Sequence, residues 1–386
     1  MSQTRAPQAI TSIPFNRCLP VGREREYMEQ ALASGILSGD GRFTKACHAW
    51  LQSHLGIASA LLTTSCTHAL EMSGLLLDLK PGDEVIVPSF TFVSSVNAYV
   101  LRGVKPVFAD IRPDTLNLDE NQLPSLITSR TKAIVIVHYA GVACEMDSIL
   151  ETAENANVPI IEDNAHGLFG RYKGRQLGTF GAMATQSFHE TKNIACGEGG
   201  ALLINDPRLH ERAEIIREKG TDRSKFFRGQ IDKYGWVDVG SSYLPSELLA
   251  AFLLGQLEAF ETIQSRRKHI CDAYRAQLAD WAKQNGIRLP FVPEHCEQPD
   301  HMFYMLLPTL ERRQAFISHM KERGITTPFH YVPLHSSPMG LHLGGKGGDC
   351  PVTERISGQL VRLPLFNTMS DAETATVIEA VREFRC

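Results

Sequence analysis

Ser187-Phe188-His189-Glu190-Thr191-Lys192-Asn193, followed by Gly197-Glu198-Gly199-Gly200, is the stretch on which the reading of this chain turns. An apolar strand-like run leads into it, and Ala201-Leu202-Leu203-Ile204-Asn205 leads out. Lys192 is therefore expected in a polar loop between two core strands. A lysine in such a loop is most often simply solvated. The other reading is an amine held in a desolvated pocket beside another cation, where a lowered proton affinity makes it a nucleophile toward carbonyls. The choice rests on whether the rest of the chain supplies a site for an aldehyde cofactor.

Outward from Lys192, strand and helix patterns alternate. Strands are expected at 59–64, 84–88, 106–110, 132–138 and 158–162, and helices at 67–79, 91–101 and 147–155, after two earlier helices at 22–34 and 43–55. This alternation implies a largely parallel sheet with helices on both faces, that is, an α/β fold. Ligands in such sheets sit beyond the carboxyl ends of the strands. After residue 206 the alternation fades: a helix at 207–218, a long polar and aromatic loop at 221–243, and a helical stretch at 246–280. A strand at 302–307 and helices at 312–322, 354–361 and 371–384 complete a smaller C-terminal α+β domain. The expected organisation is a disordered tail over 1–12, a large α/β domain over 13–245 that would carry the ligand site, and a small one over 246–386.

With 386 residues and 43% hydrophobic content, the chain can bury a large core. Its net charge is -4, from 39 basic and 43 acidic residues, and no basic run interleaves with aromatics, so nucleic acid is not an expected partner. The N-terminal residues lack the apolar core of a signal peptide, and no apolar stretch is long enough to span a bilayer. The nine cysteines are scattered without a CxxC pair, which points to reduced thiols in a cytoplasmic protein rather than to a metal site or disulfides.

Polar groups of the kind an aldehyde cofactor needs recur at strand ends. Thr63-Thr64-Ser65-Cys66-Thr67-His68 joins a strand to a helix, whose free N–H groups suit a phosphate; taken alone, Ser65 or Thr67 reads first as a plain N-cap. Ile160-Ile161-Glu162-Asp163-Asn164-Ala165-His166 ends an apolar strand in an acid. A buried carboxylate is costly unless paired, and a protonated pyridine nitrogen is a suitable partner for Asp163. Ser187 could donate to the same phosphate, and Phe92 could stack on a ring or pack in the core. The thiols of Cys66 and Cys196 read as small apolar fillers. Thr67, Asp163, Ser187 and Lys192 together fit pyridoxal 5'-phosphate.

The chain resembles the sugar-nucleotide aminotransferases of the DegT/StrS family, with the type I, aspartate aminotransferase-like fold of PLP-dependent transferases. The resemblance lies in Pro81-Gly82-Asp83-Glu84-Val85-Ile86-Val87-Pro88-Ser89, Val137-His138-Tyr139-Ala140-Gly141, Glu162-Asp163-Asn164-Ala165-His166, Ser187-Phe188-His189 with Lys192-Asn193, and Gly197-Glu198-Gly199-Gly200. Within the family it is similar to TDP-4-keto-6-deoxyglucose 4-aminotransferases of the WecE type, through Gly141 to Asp147, His189 to Asn193, Phe227 to Gln230, Gly240 to Leu244, His301 to Tyr304 and His330 to His335.

The resemblance implies that Lys192 is the Schiff-base lysine and Asp163 the acid at the pyridine nitrogen. His166 would lie beside the ring oxygen. Cys66 (through its backbone), Thr67 and Ser187 would form the phosphate cup, and Phe92 would stack on the ring. Two departures stand out: Asn164 replaces the usual alanine or cysteine, and Ser242 stands where many members place an asparagine that reaches the neighbouring subunit's cofactor phosphate. His330, Tyr331 and His335 are candidates for the sugar nucleotide, and Lys346 for its diphosphate or for solvent. The implied reaction is transfer of an amino group from L-glutamate to C4 of a nucleotide-linked 4-keto-6-deoxy sugar by a homodimer. A sugar dehydratase using the pyridoxamine form is an alternative, disfavoured by Lys192; a non-catalytic nucleotide-sugar-binding protein is another.

Overall fold

The structure, a computed structural model, describes residues 12–385. Of the tail expected over 1–12, all but the last residue lies outside the described residues. The strands are β1 (Ser59–Thr63), β2 (Glu84–Pro88), β3 (Lys105–Ala109), β4 (Thr131–Val137), β5 (Ile160–Asp163), β6 (Arg171–Tyr172), β7 (Arg175–Gln176), β8 (Met183–Ser187), β9 (Gly200–Ile204), β10 (Cys296–Glu297), β11 (Phe303–Leu306) and β12 (Leu360–Leu363). The central sheet is seven-stranded, in the order β1-β9-β8-β5-β4-β2-β3. From β3 to β8 neighbouring strands are parallel, and β9 runs against both of its neighbours. The expected α/β fold with a mostly parallel sheet is the one observed.

The apolar run of β4 shows why the sheet is covered on both faces. Ala133 and Val135 pack in one core with the helix Cys66–Leu76, while Ile134 and Ile136 pack in another with the helix Met146–Ala156. Successive strand residues point to opposite faces, so a nearly continuous apolar strand needs cover on each. β5 and β8 end side by side at Asp163 and Ser187, and Gly200 pairs with both Ser187 and Thr63. Four polar or glycine positions thus meet at one edge of the sheet, its carboxyl edge.

Beyond residue 206 the structure refines the sequence reading. The expected helix at 207–218 opens as a tight turn, Pro207–Leu209, before His210–Arg217, and the loop at 221–243 carries a short helix, Arg223–Phe227. The helical stretch at 246–280 is two helices, Glu247–Glu258 and Phe260–Gln284, broken at Ala259. The first packs with the N-terminal helices against the large sheet; the second bridges that core, through Ile263, and the C-terminal core, through Ile270 to Trp281. We propose that the two domains divide along this second helix. The expected helix at 354–361 ends at Gln359 and gives way to β12, which pairs antiparallel with β11. No helix among the described residues is long and apolar enough to cross a membrane.

Candidate active site

The loop between β8 and β9 is stitched across its base. Phe188 N–H donates to Gly199 O (2.8 Å), Cys196 N–H to Phe188 O (2.9 Å) and Glu190 N–H to Gly197 O (2.9 Å). The Lys192 N–H closes a turn onto His189 O (2.9 Å). Lys192 is thereby fixed on the wall of a cavity of about 690 Å³ that also takes in Asp163, His166, Ser187, Thr67 and Phe92. Burial lowers its amine to about 8, against a partial restoring pull from Cys66 and Asp163. The solvated-loop reading of Lys192 fails here, because the loop folds inward over the sheet edge instead of out into water.

Asp163 is buried, and burial raises its carboxyl; the Ser95 hydroxyl (2.6 Å to Oδ2) and the Ala165 N–H (3.2 Å to Oδ1) oppose that rise. Burial likewise holds His166, His301 and His330 well below the ordinary histidine range, so all three rings are neutral near pH 7. His166 and His301 stack, with centroids 4.5 Å apart and planes at 23°. His301 Nδ1 is 2.9 Å from Asn193 Oδ1, whose amide donates to Pro299 O, so the residue next to Lys192 braces the stack.

Ser65 caps the helix Cys66–Leu76: its hydroxyl accepts from the His68 N–H (3.1 Å). Cys66 and Thr67, the first two residues of the helix, line the cavity, and the dipole at a helix start favours an anion. A Cβ at Gly200 would stand 2.4 Å from the Cys66 nitrogen, so the last glycine of Gly197-Glu198-Gly199-Gly200 lets the two backbones approach. The Cys66 thiol is pushed up by burial and remains a thiol, with Thr185 Oγ1 at 3.5 Å. Thr67 Oγ1 donates to Ser94 Oγ (2.8 Å).

Among the residues read as candidates for the sugar nucleotide, His330 and Tyr331 line the cavity, and Tyr139 OH is 3.0 Å from His330 Nδ1. Phe92 is 57% exposed at the mouth, with its ring 6.3 Å from that of Tyr331. His335 requires a correction. It is fully buried away from the cavity, with Nδ1 2.6 Å from Ser89 Oγ and Nε2 2.9 Å from Glu354 Oε1, so it ties β2 to the C-terminal part and cannot touch a substrate. Lys346 is exposed and does not line the cavity. Ser242 also lies outside it, in an exposed segment bridged to Glu218. Asn164 now has a local account: buried, it donates to Leu177 O (3.3 Å) and Gln186 Oε1 (3.1 Å), and its backbone carbonyl closes a turn onto Gly167.

Ser95, behind the cavity wall, and Arg362, on it, lay outside the sequence candidates. Ser95 holds Asp163 from the start of the helix Ser94–Val100. Arg362 comes from β12, whose first two residues fall within the helix expected at 354–361, so its strand alternation carried no signal. Its motif neighbour Leu363 points into the C-terminal core, while Leu360 packs on the opposite face with Tyr139 and Tyr304.

The donor set fits pyridoxal phosphate. The cavity offers an amine of lowered proton affinity, a buried carboxylate for a cationic ring nitrogen, and a helix start with Ser187 beside it for a phosphate. The His166 Nδ1 is buried without a hydrogen-bond partner, as a ring-oxygen neighbour would be before its partner arrives.

A family model described as the DegT/DnrJ/EryC1/StrS aminotransferase family matches residues 21–382. GDP-perosamine synthase of Escherichia coli O157:H7 is 32% identical over 381 residues, covering 96% of this chain and 98% of that protein. Among solved structures, the aminotransferase TlmJ from Streptoalloteichus hindustanus superposes with a TM-score of 0.88 at 30% identity, covering 96% and 98% of the two chains. The PLP form of the sugar aminotransferase Spr1654 from Streptococcus pneumoniae, so far a tentative assignment for that protein, gives 0.89 at 27%, again over 96% and 98%. With these likenesses extending along nearly its whole length and the cofactor's donor set assembled around Lys192, the chain belongs to the DegT/DnrJ/EryC1/StrS family and is a pyridoxal-phosphate-dependent sugar aminotransferase.

Proposed function

We propose that the enzyme transfers the amino group of L-glutamate to C4 of TDP-4-keto-6-deoxy-D-glucose, giving a TDP-4-amino-4,6-dideoxyhexose. The observation that carries the reading is Lys192 on the wall of one buried cavity with Asp163 and His166. The nucleotide and sugar rest on the WecE-type motifs, of which His330 and Tyr331 line that cavity. The relative named GDP-perosamine synthase makes GDP the competing carrier. We further propose a homodimer acting in the cytoplasm, with Ser242 of each subunit turned toward the other's cofactor phosphate.

Bound pyridoxal phosphate supplies an electron sink conjugated to the reacting carbon. Lys192, with an amine near 8, is neutral in part at physiological pH and would hold the cofactor at its aldehyde carbon. The same amine, once free, would move a proton to and from the donor's Cα as a general acid–base. Asp163 holds a proton at the ring nitrogen, its negative charge fixed by Ser95 and the Ala165 N–H. His166, neutral, would meet the ring oxygen with the Nδ1 that has no protein partner. The start of the helix Cys66–Leu76 and Ser187 grip the phosphate. In the second half-reaction the same residues act in reverse on the C4 ketone.

Incubation of the enzyme with TDP-4-keto-6-deoxyglucose, L-glutamate and pyridoxal phosphate, with the GDP-linked sugar in parallel, tests the reading by proton NMR of the product. An amino sugar formed from the TDP substrate supports it. Large couplings on both sides of H4 mark a gluco product, and a small H3–H4 coupling a galacto one. Turnover of the GDP sugar alone overturns the choice of carrier.

A further inference from the structure

Asn193 and His301 form a pair whose hydrogens are fixed by what surrounds them. Asn193 Nδ2 donates to Pro299 O (2.7 Å) and to Gln264 Oε1 (3.0 Å), and Gln264 Nε2 donates to the same carbonyl (3.0 Å). A backbone carbonyl only accepts, so both amides turn their nitrogens to it, and Asn193 is left with Oδ1 toward His301 Nδ1 (2.9 Å). An amide oxygen also only accepts, so His301 Nδ1 carries a hydrogen. The ring is buried and neutral, and a neutral imidazole holds a single ring N–H, so Nε2 is a bare acceptor. Among the described residues no hydrogen bond reaches Nε2. Asn193 stands behind the cavity wall and His301 on it with Lys192, so the ring edge left to the cavity is the one with Nε2.

A closed circuit holds this pair in place. Arg267, from the helix Phe260–Gln284, is fully buried, and no carboxylate among the described residues pairs with it. Its Nε donates to Asp300 O (3.0 Å), its Nη2 to His301 O and its Nη1 to Asn367 Oδ1 (3.1 Å). Asn367 Nδ2 donates in turn to Asn193 O (3.1 Å), which completes the ring of contacts. The Asp300 carboxylate is spent on Arg275 (2.9 Å). Arg267 keeps its charge, and with Lys192 it lies close enough to His301 to oppose protonation of the imidazole. The pairing of His330 Nδ1 with Tyr139 OH (3.0 Å) carries no such determination, since either atom can donate.

A bare nitrogen has nothing to offer groups that only accept, which sets aside the donor's carboxylates, the sugar's diphosphate and the cofactor's phosphate. Surroundings that oppose an imidazolium also oppose an ammonium at the same place, which sets aside the donor's amine. The cofactor's ring oxygen falls to His166. A neutral hydroxyl remains, and L-glutamate has none. In a 4-keto-6-deoxy hexose the reacting C4 is flanked by C5, which bears a methyl group, and by C3, which bears a hydroxyl.

We propose that His301 accepts a hydrogen bond from the C3 hydroxyl of the sugar, with Asn193 as the positioning residue that sets its tautomer. The inference rests on the reading of the substrate as a nucleotide-linked 4-keto-6-deoxy sugar. His301 orients and transfers no proton. Holding the hydroxyl on one side of C4, and leaving the methyl-bearing side free, gives the sugar ring one orientation beside Lys192.

The test compares TDP-4-keto-6-deoxyglucose with its 3-deoxy analogue, each in single turnovers with the pyridoxamine form of the holoenzyme, followed by the cofactor band. In the wild type the second-order rate constants are expected to favour the hydroxylated sugar by about 10- to 100-fold, because the analogue leaves a nearly buried acceptor without a partner. His301→Phe keeps a flat ring against His166, and its ratio is expected to fall to about threefold or less. His301→Gln, whose Oε1 can accept, is expected to recover a ratio of about tenfold. A variant that merely loosens the site slows both sugars and leaves the ratio standing; cofactor absorbance and thermal melting establish that each variant is folded and loaded. Nitrogen-15 NMR of histidine-labelled wild type reads the tautomer without turnover: His301 Nε2 is expected to carry no hydrogen, and Asn193→Ala to mix the two tautomers. A wild-type ratio near unity overturns the proposal, as does a ratio that survives in His301→Phe or a hydrogen found on Nε2. If only the GDP-linked sugar reacts, the choice of nucleotide fails and the GDP-linked pair carries the same comparison. If neither sugar reacts with the wild type, the substrate reading fails and takes the proposal with it.

Discussion

Lys192 and Asp163 share one buried cavity, and burial moves their proton affinities toward each other: the amine falls to about 8 while the carboxyl rises. Neither group is comfortable in the protein without its cofactor. A cationic ring nitrogen would give Asp163 a charged partner, and an aldehyde cofactor would take up the amine that burial disfavours as a cation.

Lys192→Ala is expected to abolish turnover, below about one part in a thousand of the wild-type kcat, with the fold intact by circular dichroism. A variant retaining near-normal rate would remove Lys192 from the mechanism. Steady-state kinetics of the wild type should give parallel initial-rate lines, since one reactant leaves before the next binds.

The same lysine carries a stability signature. Its folded proton affinity is depressed from 10.5 to about 8, so between those values the unfolded chain binds more protons and stability rises with pH. Below about pH 8 the full penalty applies, on the order of 3 kcal/mol. Lys192→Met in the cofactor-free protein should therefore melt higher than wild type at pH 7, with the advantage shrinking toward pH 10. An equal or lower melting temperature at pH 7 would contradict the buried amine.

Asp163→Asn replaces the ring-nitrogen acid with a group of similar shape that cannot stabilise a cation. The loss in kcat/KM should be about 100- to 1,000-fold. Ser95→Ala frees one carboxylate oxygen and should cost about tenfold in the same measurement. A Ser95→Ala loss equal to that of Asp163→Asn would mean that the serine does more than hold the acid.

His335→Ala tests a structural rather than a binding role. The buried imidazole joins Ser89 and Glu354, so its removal takes one partner from the Ser89 hydroxyl and opens a cavity, at about 2–4 kcal/mol of stability. In protein that remains folded, the KM for the sugar nucleotide should stay within twofold; a large rise in KM at unchanged melting temperature would restore His335 to the substrate site.

Ser242 is exposed and follows a stretch of chain with exposed aromatic side chains, among them Phe227 and Trp236. In the proposed homodimer those rings are covered by the second subunit. Trp236→Asp should shift sedimentation toward the monomer at micromolar concentration and weaken cofactor retention with it. Unchanged sedimentation would exclude this face from the interface.

Much of the site could be read along the chain because its residues stand at the ends of strands. Asp163 closes β5, Ser187 closes β8, and Thr67 follows β1 by a tight turn. A strand announces itself by a short run of apolar side chains, and in a parallel sheet its carboxyl end is the ligand edge. That local grammar placed Lys192, Asp163, Ser187 and Thr67 together before any tertiary contact was known. It could not tell a polar residue aimed at a cavity from one spent on packing. His330 and His335 lie in one motif, yet the first lines the cavity and the second is buried between Ser89 and Glu354. Nor could it reach Arg362, where a short strand follows a helix without a turn signal and only pairing with β11 reveals the alternation. Which way a side chain faces depends on partners distant in sequence, and that is a property of the packed sheet and helices, not of the neighbouring residues.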